Sequence, residues 1–436
     1  LLGKADFVMA NPPFNVDEID ADKVKTDPRL PFGLPGVNNR EKVSNGNYVW
    51  ISYFWSYLSA KGRAGFVMSS QASSAGRDEA KVRQKLIETG DVEAMIAIRS
   101  NFFYTRTVPC ELWFLNRAKP KAMKNKVLML DARNVYRKVT RKIYDFSPEQ
   151  QQNLLAIVWL YRGQSDRFLK LVSDYLGQTL EAGRACIETT DAAGETVQPL
   201  SQFVDSIDAL EQQLAPFLKT LGKTGPHAET LAEFRKEQKQ FTEDVEAFQA
   251  SIEKGAKQRD KAGDTNGVLN KLVEQLEPVA ESSRDLIKQA DLVYKLATRL
   301  IEICETECNT KKSEDWVPRE IVKARKAADE VRGFAVEQLK QVRYFWKQAH
   351  WLTERFPKAE LCDVPGLVKL VDREKIENED WSLTPGRYVG VAPEEVDEDF
   401  DFEETLREIH VELEDLNTEA VTLAATIKKN FEELGI

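Results

Sequence analysis

The chain has 436 residues, of which 42% are apolar and 30% charged, and its formal net charge is -10. That length allows two or three domains with sizeable cores, while the acid excess excludes a general electrostatic grip on nucleic acid, so any DNA contact needs a partner or a local basic patch. No stretch approaches 18 consecutive apolar residues and no secretory signal opens the chain, so neither a membrane span nor export is expected. The cysteines (Cys110, Cys186, Cys304, Cys308 and Cys362) are odd in number and scattered, which fits a reducing cytoplasm. Cys304 and Cys308 would share a helix face, but no histidine is near in sequence, and no metal site is expected.

From the amino terminus, ADFVMA is a short apolar run that reads as a buried parallel strand. Tyr48 to Leu58 is aromatic-rich and helix-compatible, and RAGFVMSS is a second strand after a Gly turn. Asp78 to Thr89 reads as an amphipathic helix with Val82, Leu86 and Ile87 inward. VEAMIAI, CELWFLN and KVLMLDA supply a third, fourth and fifth strand. Strands spaced by helices or loops over 1–145 predict an α/β sheet.

After a connecting stretch, 146–200, the pattern changes. Phe203, Ile207, Leu210, Leu214, Phe217 and Leu221 recur at alternating spacings of 4 and 3, and the repeat continues through Phe234, Phe241 and Phe248, then from Leu269 to Cys304. A 3.5-residue period is the mark of helices packed as coiled coils, so 201–356 is expected to be an antiparallel helical bundle. Pro278 is expected to kink or split its third helix. Residues 357–400 are mixed, with turns at Pro365–Gly366 and Pro385–Gly386, and the acidic run Glu394–Glu404 reads as a disordered linker. The tail, 401–436, carries an apolar stripe through Leu406, Ile409, Leu413, Leu416, Ala420, Leu423, Ile427 and Leu434. A stripe of that kind packs on something, either this chain or a partner.

The stretch FVMANPPF holds the chemistry. In an open α/β sheet, ligands bind beyond the carboxyl ends of the strands, and Asn11 sits at such an end. An amine conjugated to a ring, such as N6 of adenine, is a poor nucleophile because its lone pair is delocalised. Two acceptors on its N–H bonds draw the nitrogen toward a tetrahedral shape. The Asn11 side-chain carbonyl and the Pro12 backbone carbonyl supply that pair without bringing a charge. Pro12 and Pro13 fix the backbone beforehand, and Phe14 offers a face for a planar base. Read structurally, the same residues end a strand and cap a turn.

VMANPPF resembles the amino-methyltransferase motif of S-adenosylmethionine-dependent DNA methyltransferases. GRAGFVMSS, RQKLIETGDVEAMIAI and SNFFYTRTVPCELWFLNR resemble the later strands of modification subunits of type I restriction-modification systems. VPGLVKL and WSLTPGRYVGV resemble the region after that catalytic domain. The resemblance covers about 1–165 and 357–436. It implies a partial Rossmann-like methyltransferase sheet, containing the later strands only, followed by an all-α, coiled-coil-rich region. It also implies methylation of adenine N6 in double-stranded DNA, with S-adenosylmethionine as donor. A specificity subunit, a restriction subunit and a second modification subunit would be the partners, with the tail helix docking. By position, Asn11, Pro12 and Pro13 are the amine grip and Phe14 a stacking ring. A second aromatic is expected before CELWFLN, at Phe103 or alternatively Tyr104. The adenine would be flipped out of the duplex and stacked there. Arg133, Arg137, Lys138 and Arg141 lie in a basic stretch that would either touch phosphates or remain a solvated connection.

Two features depart from that family. Its Gly-rich cofactor loop follows a first strand, and only ten residues precede Asn11 here; SSAGRDE and GKTGPH do not serve. The chain is therefore expected to be the carboxyl-terminal part of a longer protein, to bind S-adenosylmethionine weakly or not at all alone, and to expose an edge strand near Ala5–Ala10. Second, the roughly 190 residues of the helical region have no counterpart, and a spacer or partner-binding arm is expected of them. Rival readings are a solitary amine methyltransferase acting on RNA or protein, and a scaffold remnant without catalysis. No GxxxxGK[ST] occurs, so a P-loop enzyme is not expected, and with only three histidines, His227, His350 and His410, all outside the α/β part, no convincing Ser/His/Asp arrangement is present.

Overall fold

The computed structural model describes residues 1–43, 45–102, 107–140, 143–393 and 402–433, with side chains described only in part over 402–418. Two compact units are formed, Leu1–Gln150 with Cys362–Ile436, and Gln151–Leu361.

The first unit is built on a six-stranded mixed sheet of β1 (Ala5–Ala10), β2 (Leu58–Ser69), β3 (Val92–Ile98), β4 (Cys110–Asn116), β5 (Lys126–Asp131) and β6 (Val368–Asp372), in the order β1-β2-β4-β3-β5-β6. β1 runs parallel to β2 and β3 parallel to β5, whereas β4 is antiparallel to both its neighbours and β6 is antiparallel to β5. The helices α1 (Asn47–Tyr57), α2 (Gln71–Ser74) and α3 (Arg77–Glu88) lie between β1 and β3 in the chain. Alternation along the strands sends Phe66, Met68, Trp113, Met95 and Met129 to one face. There they form a single core with Tyr48 and Ile51 of α1 and with Val82, Leu86 and Ile87 of α3. Each such side chain stabilises the fold by about 1.5–3 kcal/mol.

ADFVMA is not the fully buried strand its composition suggests. Val8 and Ala10 pack on the core, but Phe7 is 79% and Met9 90% exposed, because β1 is the edge of the sheet and their face is uncovered there. β6 was not foreseen in the sequence. VKLVD is only five residues long and is broken by Lys369. It becomes a strand through pairing with β5, Val368 opposite Leu130 and Asp372 opposite Lys126. The turn Val364–Leu367, with Gly366 at φ 74°, delivers it. After β6 the chain forms α10 (Arg373–Asn378), which also belongs to the first unit.

Arg83, 1% exposed on α3, ties the return segment down. It donates to the carbonyls of Ala72 and Ala75, to the Tyr48 hydroxyl, and to the carbonyls of Asp380 and Trp381. Asp380 and Trp381 both adopt the left-handed conformation, φ 52° and 58°.

In the helical region, α4 (Pro148–Tyr161) spans the boundary between the units. α5 (Ser165–Ile187), α6 (Pro199–Leu218), α7 (Pro226–Lys261), α8 (Asn266–Glu307) and α9 (Pro318–Arg355) follow it. α9 packs against α5, α6 and α8, and α7 packs against α8. Phe203, Leu210, Phe241, Phe248, Leu286 and Leu300 of the repeat are all buried. Pro278 does not split its helix, since α8 runs unbroken from Asn266 to Glu307. The proline is on the exposed side, and buried Leu276, Val279 and Ala280 flank it, so tertiary packing offsets the lost backbone bond.

The first unit closes with α11 (Phe402–Glu433), every described side chain of which is exposed. Of the acidic run, 394–401 lies outside the described residues and 402–404 opens this helix; Leu434 of the apolar stripe also lies outside them.

Candidate active site

Asn11 immediately follows β1, beyond the carboxyl end of the sheet. Asn11 and Pro13 are exposed, Pro12 is buried and Phe14 is half-buried. Neither the Asn11 side-chain carbonyl nor the Pro12 carbonyl accepts a hydrogen bond from the described residues, so both acceptors remain available. The chain then turns at Asn15, whose φ is 53°. Asn15 and Asn47, the first residue of α1, are bonded reciprocally. The Asn15 backbone N–H donates to Asn47 Oδ1 at 2.9 Å, and Asn47 Nδ2 donates to Asn15 Oδ1 at 2.8 Å. Next to this pair the Gly46 N–H donates to the Val16 carbonyl at 2.7 Å. A Cβ at Gly46 would lie 3.1 Å from the Val16 carbonyl oxygen and 2.8 Å from Ile19 Cδ1, so a side chain here would crowd the approach of the two backbones.

β2 ends at the same edge in Ser69, Ser70 and α2. Gln71 Oε1 accepts from Asn15 Nδ2 at 3.5 Å, a long and weak bond. A cleft of about 600 Å³ opens beside these amides, lined by Asn38, Asn45, Gln71, Arg77, Asp78 and Glu79 among others. That is within the size range of small-molecule and base pockets.

The segment WSLTPGRYVGV lies at this end too, a placement the sequence did not disclose. The Leu383 N–H donates to the Ser73 carbonyl at 2.8 Å, and the Ser73 and Thr384 hydroxyls share a 2.7 Å hydrogen bond. Beneath them Glu111, at the start of β4, is 1% exposed. Burial pushes its carboxyl pKa up to about 8 against the opposing hydrogen bond from Ser73 and the charge of Arg133. Its Oε2 makes no hydrogen bond. No local pattern marks Glu111 in CELWFLN, where a strand position is all that can be read.

Of the basic residues, Arg133 and Arg137 are paired with carboxylates. Arg133 grips Asp131 with both Nε, at 2.8 Å, and Nη2, at 2.6 Å, and a Cβ at Gly386 would lie 2.6 Å from that Nη2. Asp131 holds the Arg133 guanidinium above its ordinary value. Arg137 pairs with Asp145 across a short hairpin, Nη2 to Oδ2 at 2.7 Å, and Lys138 is exposed on the same strand. Phe103, Tyr104 and Arg141 lie outside the described residues. Just before the first two, Arg99 sits between the rings of Tyr136 and Tyr144, 4.4 and 4.7 Å from their centroids.

A nucleoside cofactor needs a glycine-rich turn leading from a parallel strand into a helix. Here β1 runs into Asn-Pro-Pro, β2 into Ser70–Gln71 and β3 into Arg99–Ser100. The described residues do not supply such a cradle.

Residues 2–174 match the family model described as N-6 DNA Methylase. Over 141 residues the chain is 41% identical to the type I restriction enzyme MjaIX methylase subunit of Methanocaldococcus jannaschii, covering 31% of this chain and 25% of that protein. It is 32% identical over 147 residues to the HindI methylase subunit of Haemophilus influenzae, covering 34% and 31%. The matches thus span a quarter to a third of the length of these curated relatives. A solved type I methyltransferase subunit from Streptococcus thermophilus is similar at TM-score 0.31 and 20% identity over 35% of this chain and 31% of that one, too slight a likeness to bear on the fold. Over residues 2–174 the chain is thus similar to the N-6 DNA methylases, and over about a third of its length to methylase subunits of type I restriction enzymes.

Proposed function

We propose that this chain carries the target-base part of a DNA adenine-N6 methyltransferase that works as the modification subunit of a type I restriction-modification complex. The observation that carries the reading is Asn11-Pro12-Pro13-Phe14 at the carboxyl end of a parallel strand, with both acceptors unengaged, inside the region matched by the N-6 DNA methylase model. Asn11 Oδ1 and the Pro12 carbonyl accept the two N–H bonds of the adenine amine and draw its nitrogen out of conjugation with the ring. The half-buried Phe14 stacks on the flipped base, and Phe103 or Tyr104 supplies the second face.

The methyl donor expected of the family is S-adenosylmethionine. Because the described residues lack its cradle, the reading assigns them the amine and not the donor. Partners follow from the same reading: DNA, a specificity subunit that chooses the site and meets α11, a second modification subunit and a restriction subunit.

The test is methyl transfer from labelled S-adenosylmethionine to DNA by the modification subunit carrying these residues, assembled with its specificity subunit. Asn11→Ala is expected to lower kcat by about 10²–10³, the usual effect of removing one preorganised hydrogen-bonding group. Transfer to RNA or to protein in place of DNA would overturn the reading.

A further inference from the structure

We infer that Asn47 is a positioning residue for the amine grip: its side chain holds the turn at Asn15 and thereby sets where Phe14 and the two acceptors stand. The inference rests on the function proposed above and adds to it a residue 36 positions downstream of Asn11, on a different element.

Three observations point to Asn47. It is 1% exposed, although asparagine at the first position of a helix usually faces water. Both ends of its amide are used on one residue, Asn15, in a reciprocal pair of 2.8 and 2.9 Å bonds. Asn15 also directly follows Phe14 and is one of nine described non-glycine residues with positive φ, a conformation that asparagine tolerates better than most residues when its side chain is hydrogen-bonded locally. The two part-buried hydrogen bonds to Asn47 support that conformation. Without them the chain after Phe14 is free to relax to negative φ, which swings the ring and the preceding peptide. Asn47 is itself fixed, because its own N–H donates to Asn45 Oδ1 at 2.9 Å and the backbone beside it is locked by the Gly46 to Val16 bond. The grip is therefore braced from α1 and not by its own prolines alone.

A shift of about 1 Å at a reacting group costs on the order of 10² in rate. The single-turnover rate constant of the assembled modification complex, with saturating DNA and S-adenosylmethionine, is the quantity to read. A misfolded fraction lowers the amplitude of that reaction, whereas a misplaced grip lowers its rate constant. Asn47→Ala is expected to lower the rate constant by about 30- to 100-fold at nearly unchanged amplitude. Asn47→Asp keeps the acceptor for the Asn15 N–H and accepts from a turned-over Asn15 amide, so it is expected to recover to within about threefold of wild type, as a conservative replacement at a positioning site should. Should Asn47→Ala fail to fold, Asn15→Gly takes its place. Glycine adopts φ 53° freely but removes the side-chain acceptor, and a fall of about tenfold is expected. An unchanged rate constant with reduced amplitude in Asn47→Ala or Asn15→Gly would overturn the inference. Full activity of Asn11→Ala, or none in the wild type, would instead overturn the function on which it rests.

Discussion

Ser73 and Thr384 lie 311 residues apart in sequence, and their hydroxyls are 2.7 Å apart in the fold. This bond joins the end of β2 to the segment that returns after the helical region, and Arg83 repeats the connection through Asp380 and Trp381. The whole helical unit is thus an excursion between β5 and β6 of one sheet, and the return segment completes the sheet's carboxyl end.

Arg83→Met should therefore destabilise the first unit strongly. The change removes hydrogen bonds to five acceptors, of which the Ala72 carbonyl keeps its bond from the Tyr48 hydroxyl, and removes the support of two left-handed residues, with an expected cost of about 3 kcal/mol or more. Thr384→Val removes one hydroxyl bond, with an expected cost of about 1 kcal/mol. Urea unfolding measures both, and equal midpoints for the two variants would contradict the brace.

Glu111 predicts a pH dependence. Its folded-state pKa lies above the ordinary 4.5, at about 8, because burial favours the neutral acid. Between those two values the folded form binds more protons than the unfolded form, so the stability due to this group is intact below about pH 4.5 and is lost as pH rises toward 8. The slope is at most about 1.4 kcal/mol per pH unit. Glu111→Gln removes the titration, so the variant should gain on the wild type from pH 5 to pH 8. Parallel stability curves over that range would show that Glu111 is not held neutral.

The open edge of β1 predicts self-association. Phe7 and Met9 present an apolar row beside unpaired strand edge groups, an arrangement that templates pairing with another chain. Replacing both with Lys should shift sedimentation of the isolated chain toward monomer and leave its fold intact, since neither side chain contributes to the core. A wild-type chain that is already monomeric at high concentration would count against this.

Among the described residues no parallel strand leads through a glycine-rich turn into a helix, which predicts weak donor binding by the isolated chain. Isothermal titration of the isolated chain with S-adenosylmethionine should show no micromolar binding, and a micromolar isotherm on a monomeric sample would contradict that.

Much of the sheet was legible in the sequence, because ADFVMA, GFVMSS, VEAMIAI, CELWFLN and KVLMLDA are apolar runs between turn signals. Sequence did not reveal β6, because VKLVD is a strand only by virtue of β5 beside it. It did indicate an exposed edge strand near Ala5–Ala10, but not that Phe7 and Met9 stand on its uncovered face, since burial depends on which neighbours arrive. Asn11–Phe14 stood out because an amide and two prolines directly after a strand are unusual. Asn47 carries no such signal: its role arises from a bond to a residue 32 positions away, and no periodicity encodes it. In the basic stretch, Arg133 and Arg137 have acidic partners within eight residues, which a count of positive charge does not record.

The most direct test of the central claim is mass-spectrometric analysis of DNA nucleosides after incubation with S-adenosylmethionine and the modification subunit carrying these residues, assembled with its specificity subunit. The expected result is N6-methyladenine with Asn11 present and a loss of about 10²-fold or more with Asn11→Ala. Equal N6-methyladenine from the two proteins, or none from either, would mean that Asn11–Phe14 does not grip an adenine amine.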